Sequence, residues 1–468
     1  MSGPEYVLGS PVKNQPLPVL TAMKDVGEEE KERPLSAWAA VFTCSNACVG
    51  AGVLAFPNVF ANGGLITTLV SMTLVATFEV FSLRVLVRES QIFGVTNYQD
   101  VVQKFYGPGL SIFFSFSIAA YMFGALSAYT IIIGDVLSAV ASRHIGKDSM
   151  YSSHSFNVCA VGLVFLLPLS LKRHFHDLQF VSFFSIMSLA YLMVAVSIRS
   201  FQAIEKKDWD ILQDVHYFPQ SFGNMMNAVP VMCFAFVCHL QICEVATELN
   251  PNSRLLRRSK SRADILVDGM YHSLQANEST SLLGGQIAST RVRKTMSKVV
   301  VLALSICGLF YGTIGLVAYL ASPDKWIDTS DVLQGYGVND TLMEVGRLAL
   351  VLNIICSYPI NLGPCRSAIM DVLQKIFKHK LNDKVLAAAV SVCLVVGSIA
   401  TGLALKTLGV VFKIIGGTVG AVLIFMFPGR MLTSKAESKC SKDYLIGLIL
   451  EIFGVTLLVC TTISYFTG

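Results

Sequence analysis

Charged residues are scarce in this sequence. Asp, Glu, Lys and Arg make up 14% of its 468 residues, whereas 53% are hydrophobic, and the mean hydropathy is +0.60. The charges fall in short clusters between long apolar runs, which is not the composition of a soluble globular domain. The sequence therefore predicts an all-α polytopic membrane protein.

The sequence also lacks the patterns that mark several other protein classes. It contains no basic domain interleaved with aromatic residues, which excludes a nucleic-acid-binding role, and no repeated filter motif of an ion channel. Its 12 cysteines show neither zinc spacing nor a disulfide framework. Nothing in it calls for covalent chemistry, so we expect no enzyme and no cofactor apart from a coupling ion.

The hydrophobic runs define the expected domain organisation. Residues 1–35 are polar and predict a disordered cytoplasmic tail rather than a cleavable signal. Residues 36–468 form the predicted transmembrane domain, which includes a flexible cytoplasmic loop at 250–297, rich in Arg, Ser and Gly. A membrane-spanning helix needs about 20 apolar residues. Eleven runs meet that length, at 37–59, 64–86, 110–139, 155–171, 178–200, 222–246, 299–321, 342–364, 385–404, 407–428 and 443–465.

The positive charges predict the orientation of these eleven helices. Most of the 36 Lys and Arg residues lie in segments on the N-terminal side of the membrane, and positive residues are retained on the cytoplasmic side. We therefore expect a cytoplasmic N-terminus. Because the number of spans is odd, the C-terminus lies outside the cell or in a lumen, and the plasma membrane and an endosomal or vacuolar membrane both stay open.

Two of the eleven runs are interrupted where a membrane helix is hardest to break. The first carries Gly50, Ala51 and Gly52 near its middle, and the sixth carries Pro230. In lipid, unwound backbone is tolerated only where it is buried in protein or lines a polar cavity. Because the first and sixth runs are corresponding members of two sets of five, the pattern predicts two inverted five-helix repeats plus one extra helix, with the substrate at the breaks.

The broken first helix suits an anionic group of a substrate. The amide groups that begin the second half of the helix attract a carboxylate, and the glycines at 50 and 52 allow it to approach closely. An alternative interpretation is that Gly50, Ala51 and Gly52 are a small-residue packing face between helices. The pattern does not decide between the two.

Oxygen-bearing side chains at a similar depth suggest a cation site. Ser45 and Asn46 lie on the first span and Ser357 on the eighth. Neutral oxygens suit a weakly bound monovalent ion such as sodium, whereas dense carboxylates favour divalent ions. These side chains equally suit hydrogen bonds between neighbouring helices.

Ionisable residues inside the apolar runs are candidates for proton-linked steps. We single out His239, whose pKa range suits a proton relay or pH sensor, and Glu79. A buried neutral histidine with a satisfied hydrogen bond is the alternative interpretation of His239. Either residue makes proton coupling an alternative to sodium coupling.

Five motifs, in order along the spans, then give the sequence a resemblance to a known family. They cover Ser45–Pro57, Leu167–Ser182, Pro230–Leu249, Ser357–Arg366 and Gly409–Gly429. With them the chain resembles the sodium-coupled neutral amino acid transporter family, part of the amino acid/auxin permease group within the amino acid-polyamine-cation superfamily. It departs from several animal members at 201–221, a short segment without cysteine where they carry a long outside loop, and at the enlarged loop 250–297.

The resemblance implies a fold, a function and roles for particular residues. It implies an eleven-span transporter with inverted repeats that moves amino acids, neutral ones by the family's preference, in symport with sodium or protons by alternating access. Asn46 matches a sodium-ligand position, and Ser357 falls where the family has Thr or Ser. Residues 50–52 match the substrate-carboxylate loop. Phe234, Phe236 and His239 belong to the family's Phe-x-Cys-His run and are expected at the substrate site.

A transporter-like amino acid sensor that signals through its cytoplasmic segments is the competing interpretation. Within loop 250–297, Tyr271–Leu274 and Glu278–Leu283 have the form of tyrosine-based and dileucine sorting signals, and sorting adaptors would be their partners. The sequon at Asn339 lies on the predicted outside and is a candidate glycosylation site. The sequon at Asn277 lies on the cytoplasmic side, where we expect no glycan.

Overall fold

The computed structural model describes residues 35–171, 178–206, 213–249, 278–377, 383–405 and 408–467, and these residues contain helices and no strands. The tail before residue 35 lies outside them. The helices are α1 (Ala37–Cys48), α2 (Phe56–Gly63), α3 (Leu65–Phe93), α4 (Tyr98–Tyr106), α5 (Pro108–His144), α6 (His154–Leu171), α7 (Leu178–Lys206), α8 (Phe222–Ala235), α9 (His239–Glu248), α10 (Glu278–Ala321), α11 (Thr341–Phe377), α12 (Asp383–Ala404), α13 (Leu408–Lys435) and α14 (Lys442–Thr467).

The prediction of an all-helical polytopic membrane protein is confirmed. Ten helical segments in the described part of the chain are long and apolar enough to cross a membrane. In this count α8 and α9 form one span, and the bent pair of α1 and the segment Ala51–Gly63 brings the number to eleven if it is one broken span. The inverted repeat stays a prediction.

The first span breaks where the sequence predicts. Helix α1 begins at the cap residue Ser36, whose side chain accepts a hydrogen bond from the amide of Ala39 at 3.1 Å, and ends at Cys48. Gly50 is non-helical (φ −112°, ψ −148°), and a 3₁₀ turn at Ala51–Ala55 leads into α2, whose first turn accommodates Pro57. The axis turns by 53° at this break.

The sixth span also breaks, but not at Pro230. That proline lies inside α8, and the chain leaves the helix only at Phe236–Cys238 before α9 begins. The prediction that Pro230 interrupts the helix is therefore wrong by about two turns. A proline removes only one backbone donor from a helix, and the helix continues past Pro230, whose carbonyl packs against Gly416 of α13.

Interactions near the ends of the helices mark two faces of the helix bundle. On one face, called the N-terminal face, Lys435 and Arg88 pair with Glu89, and the amide of Leu35 bonds to the carbonyl of Glu248. On the other, called the plug face, Arg199 pairs with Asp340. The plug is the segment 322–340, between α10 and α11.

The long helices surround the two breaks. Helix α10 packs against α1, α2, α3 and α7, and α5 packs along α11. Helix α8 contacts α2 and α13, while α7 contacts both α1 and α11. Because α10 begins at Glu278, residues 278–297 of the predicted flexible loop are helical in backbone. The breaks thus lie in the interior of the bundle.

Candidate functional site

One tyrosine hydroxyl joins the two broken spans. Tyr311, on α10, is fully buried, and its hydroxyl lies 2.8 Å from the carbonyl oxygen of Cys48 and 2.9 Å from that of Ala235. These two carbonyls terminate α1 and α8. The Tyr311 ring stacks on Phe56, the first residue of α2, with ring centroids 4.6 Å apart. The residue therefore holds both breaks in fixed positions relative to each other.

The carbonyl groups at the end of α8 each have a side-chain donor from another helix. Tyr121 of α5 donates to the carbonyl of Phe234 at 3.3 Å, and the thiol of Cys48 donates to that of Phe236 at 3.1 Å. Tyr311 serves Ala235, which lies between them. A helix end inside a membrane needs such partners because lipid offers none.

A small cavity lies against the two breaks. Its volume is about 40 Å³, enough for a few water molecules. Gly50, Ala51, Gly52 and Phe234 line it, and these are four of the residues predicted to bind substrate. The amide groups that open the helical segment at Ala51 have no carbonyl partners within that segment. The site therefore offers hydrogen-bond donors for an anionic group.

The rest of the cavity wall is polar but uncharged. Asn361 of α11 donates to the hydroxyl of Tyr129 on α5 at 3.1 Å, and Gln241 of α9 also lines the wall. Tyr121 and Tyr129 lie outside the motifs recognised in the sequence, whereas Gln241 lies within the motif Pro230–Leu249. Asn361 lies within the recognised motif Ser357–Arg366 but was not singled out. Nothing local distinguishes Tyr129 from other tyrosines of apolar helices.

The cavity is more deeply covered on one side than on the other. Towards the plug face, Phe234 stacks on Phe412 near the start of α13, with ring centroids 4.5 Å apart. Towards the N-terminal face, Leu240 lines both the cavity and a vestibule of about 340 Å³ that begins at Thr96 and Asn97. The thinner barrier thus lies on the N-terminal side.

Two of the predicted substrate residues do not line this cavity. Phe236 is fully buried behind it and packs edge-on against Tyr311 at 5.2 Å. His239 is also buried, with its Nε2 atom 2.9 Å from the hydroxyl of Ser82 on α3. Both follow the last residue of α8, where the turn in the backbone directs them away from the cavity. Their proposed roles stay predictions.

Glu79 lies in the same buried region behind the breaks. Its side chain is fully buried, and neither carboxyl oxygen has a hydrogen-bond partner among the described residues. It lies one turn from Ser82 on α3, the residue that contacts His239. Its surroundings include Cys238 and Cys307, and the thiol of Cys238 contacts those of Cys44 and Cys48. A proton-linked role for Glu79 and His239 stays a prediction.

The predicted cation ligands lie on α1 and α11, and both of these helices pack on α7. Ser45 is buried, and its hydroxyl has no partner within the described part of the chain. Asn46 is half-buried on α1, and the hydroxyl of Ser357 donates to Asn353 one turn earlier on α11 at 3.3 Å. A buried hydroxyl without a partner suits an oxygen ligand for sodium. Within the described ranges, no group of His, Cys, Asp or Glu could hold a metal ion.

Two further predictions concern the loops. Asn339 is exposed on the plug face, as a glycosylation site must be. The pattern Tyr271–Leu274 lies outside the described residues, and Glu278–Leu283 begins α10 in its backbone. The sorting signals therefore stay predictions.

Comparisons with known proteins agree with the recognised motifs. The sequence model of the family described as transmembrane amino acid transporter protein matches residues 33–260 and 284–467. The zebrafish (Danio rerio) sodium-coupled neutral amino acid transporter 7 is 26% identical over 413 residues, covering 85% of this chain and 78% of that protein. The mouse (Mus musculus) and human (Homo sapiens) proteins of the same name are each 27% identical, over 84% of this chain and 78% of theirs.

A solved structure supports the fold. The crystal structure of MhsT in complex with L-phenylalanine aligns with 93% of this chain and 100% of its own, with a TM-score of 0.54 and 14% sequence identity. At that identity the likeness extends to the arrangement of helices alone.

Replacing Tyr311 by phenylalanine tests its role at the breaks. Tyr311→Phe keeps the ring stacked on Phe56 but removes the single hydroxyl proton that the two buried carbonyls share. We expect the free energy of unfolding to fall by about 1–3 kcal/mol, measured by denaturant unfolding of the purified protein in detergent. Tyr191→Phe, which removes one hydrogen bond to Leu342 far from the breaks, is the control. Equal losses in the two variants would contradict a special role for Tyr311.

Proposed function

The chain belongs to the transmembrane amino acid transporter protein family, and from this premise we propose that it moves neutral amino acids across a membrane, in symport with sodium or protons, by alternating access. The observation that carries the proposal is the cavity between the broken first and sixth spans. Backbone amide groups form one side of it, and no charged residue lines it in the described part of the chain.

The chemistry of the cavity favours a neutral zwitterionic substrate. The carboxylate would bind at Gly50, Ala51 and Gly52, where the helical segment begins and its dipole is positive. Among the described residues, no charged side chain lies in the wall to compensate a charged substrate side chain, and a buried uncompensated charge is costly. The relatives are named as transporters of neutral amino acids. A cavity of about 40 Å³ must widen to admit an amino acid.

The distribution of positive charge supports a cytoplasmic N-terminal face. The vestibule behind Leu240 then opens to the cytoplasm, and Phe234 with Phe412 closes the path from outside or from a lumen. The conformation is that of a transporter closed on its plug face and thinly closed on its cytoplasmic face. Exchange of the two barriers is the expected transport movement.

Coupling would follow from a shared broken helix. Ser45 and Asn46 lie within two turns of Gly50, so a cation bound there with Ser357 would order the segment that also binds the substrate. Each ligand would then raise the affinity of the other by the same factor. The names of the relatives favour sodium, and Glu79 and His239, which are both buried, would be the alternative route for protons.

Transport is tested with the purified protein in proteoliposomes. We expect uptake of labelled neutral amino acids when a sodium or a proton gradient is imposed separately. Gly52→Leu should abolish uptake, because even a Cβ atom at this position would lie 3.0 Å from that of Ala235. Gly109→Ala, where a Cβ has no neighbour within 4 Å, is the control. Binding without uptake under either gradient would contradict transport and favour a sensor.

The cation site is tested by Asn46→Ala. If Asn46 is a sodium ligand, loss of its amide oxygen should reduce uptake and weaken the sodium dependence, so that half-maximal uptake requires at least about tenfold more sodium, equivalent to about 1.4 kcal/mol. Uptake against sodium concentration gives the measurement. Asn157→Ala, on α6 and remote from the breaks, should behave as the parent. An unchanged sodium dependence in Asn46→Ala would remove this site.

The orientation is tested by glycosylation at Asn339. When the protein is expressed in eukaryotic cells, we expect a gel shift that an N-glycan-cleaving enzyme removes, because the exposed sequon lies on the plug face. Asn339→Gln should lack the shift. Asn277→Gln should retain it, because residue 277 lies in the predicted cytoplasmic loop. A shift that depends on Asn277 would reverse the orientation.

A further inference from the structure

The plug covers the broken first span directly. The amide of Val332 donates to the carbonyl of Leu54 at 2.8 Å. The side-chain amide of Asn58, in α2, donates to the carbonyls of Trp326 and Ile327 at 2.7 and 2.9 Å. The Trp326 side chain is 1% exposed. Access to the cavity from this face therefore requires the plug to move.

A buried carboxyl group lies in the plug next to its contact with the broken helix. Asp331 precedes Val332 and is 1% exposed. Its Oδ1 atom accepts a hydrogen bond from the amide of Leu333 at 2.8 Å, whereas Oδ2 has no partner among the described residues. An ionised carboxylate is costly in such a position unless it is paired.

The charged groups around Asp331 do not form that pair. Arg347 of α11 is close enough to interact, but its guanidinium donates to the carbonyls of Leu333, Tyr336 and Gly337. Asp135 of α5 faces Asp331 with like charge and contacts His154, with 3.4 Å between Oδ1 and Nε2. The remaining charged residues facing Arg347 are Arg143, Asp340 and Glu344.

Burial, with a smaller contribution from Asp135, raises the pKa of Asp331 to about 7. An aspartate released to water has a pKa of about 3.9. The neutral form therefore stabilises the closed plug. This stabilisation is complete below pH 4 and is lost progressively as the pH rises from about 4 to about 7. Within that window the equilibrium constant for opening of the plug increases by up to about tenfold per pH unit.

We propose that Asp331 is a proton-binding site that controls the plug, which closes when the carboxyl group is protonated and is released when it ionises. The site faces the compartment on the plug side. Acid in that compartment holds the plug closed, and neutral pH releases it. The consequence for transport rests on the proposed alternating access, whereas movement of the plug does not.

Fluorescence of Trp326 measures the plug without any transport. In a background carrying Trp38→Phe and Trp209→Phe, Trp326 is the remaining tryptophan of the three in the sequence. We expect iodide quenching of its emission, in nanodiscs, to increase between pH 5 and pH 7 and to level off above that. Quenching that is constant over this range would overturn the proposal.

Substitutions identify the titrating group. Asp331→Asn keeps an oxygen for the amide of Leu333 and cannot ionise, so quenching should stay at its low, acid value at every pH. Asp328→Asn removes an exposed carboxylate from the same segment and should behave as the parent. A pH step that persists in Asp331→Asn would assign the titration to another group and overturn the proposal.

A third variant tests the proposal even if Asp331→Asn does not fold. Asp135→Asn removes the like charge that faces Asp331 and keeps an oxygen for its bond with Gln334. The midpoint should move to lower pH while the step itself remains, because burial is the larger cause. A midpoint that stays the same or rises would contradict the assignment. If the parent protein shows the quenching step but no uptake under either gradient, the proposed function is overturned and the proton site at Asp331 stands.

Discussion

The structure depends on hydrogen bonds to the unwound backbone of two broken helices. Inside a membrane, an unsatisfied carbonyl or amide group costs several kcal/mol, so a break persists only where side chains replace the missing helical partners. Tyr311, Tyr121 and Cys48 provide these donors at the end of α8, and Tyr311 also serves the end of α1. The carbonyl groups at the breaks are thus occupied, and the amide of Gly50 donates to the carbonyl of Cys48 at 2.8 Å, which leaves the amide groups of Ala51 and Gly52, at the start of the next helical segment, for a ligand.

This constraint also explains the distribution of charge. Near the breaks the described wall of the cavity is neutral, and the one carboxylate behind it, that of Glu79, is surrounded by thiols and aromatic rings. At the ends of the helices, by contrast, charged groups form ion pairs, including the buried carboxylate of Glu89. Glu89 pairs with Lys435 on the N-terminal face, and Arg199 with Asp340 on the plug face. On the plug face Asp331 differs, since it is buried without an ion pair among the described residues.

The two faces of the site differ in how they are closed. The plug closes one face with backbone hydrogen bonds to Leu54 and an aromatic stack of Phe234 on Phe412. On the other face Leu240 lines both the cavity and the vestibule. The titratable Asp331 of the plug, next to the contact of Val332 with Leu54, therefore lies beside the barrier on the plug face.

The sequence by itself determined the membrane class, the number of apolar runs and the presence of a break at Gly50–Gly52, because run length and glycine content are local properties. It misplaced the second break, since a proline removes only one backbone donor and the helix continues past Pro230. Only the tertiary structure decided that Tyr311 holds both breaks, 263 residues from Cys48 along the chain, and that Tyr129, Gln241 and Asn361 face the cavity while Phe236 and His239 face away. Such contacts depend on how separate helices rotate and pack against each other, which no local pattern records.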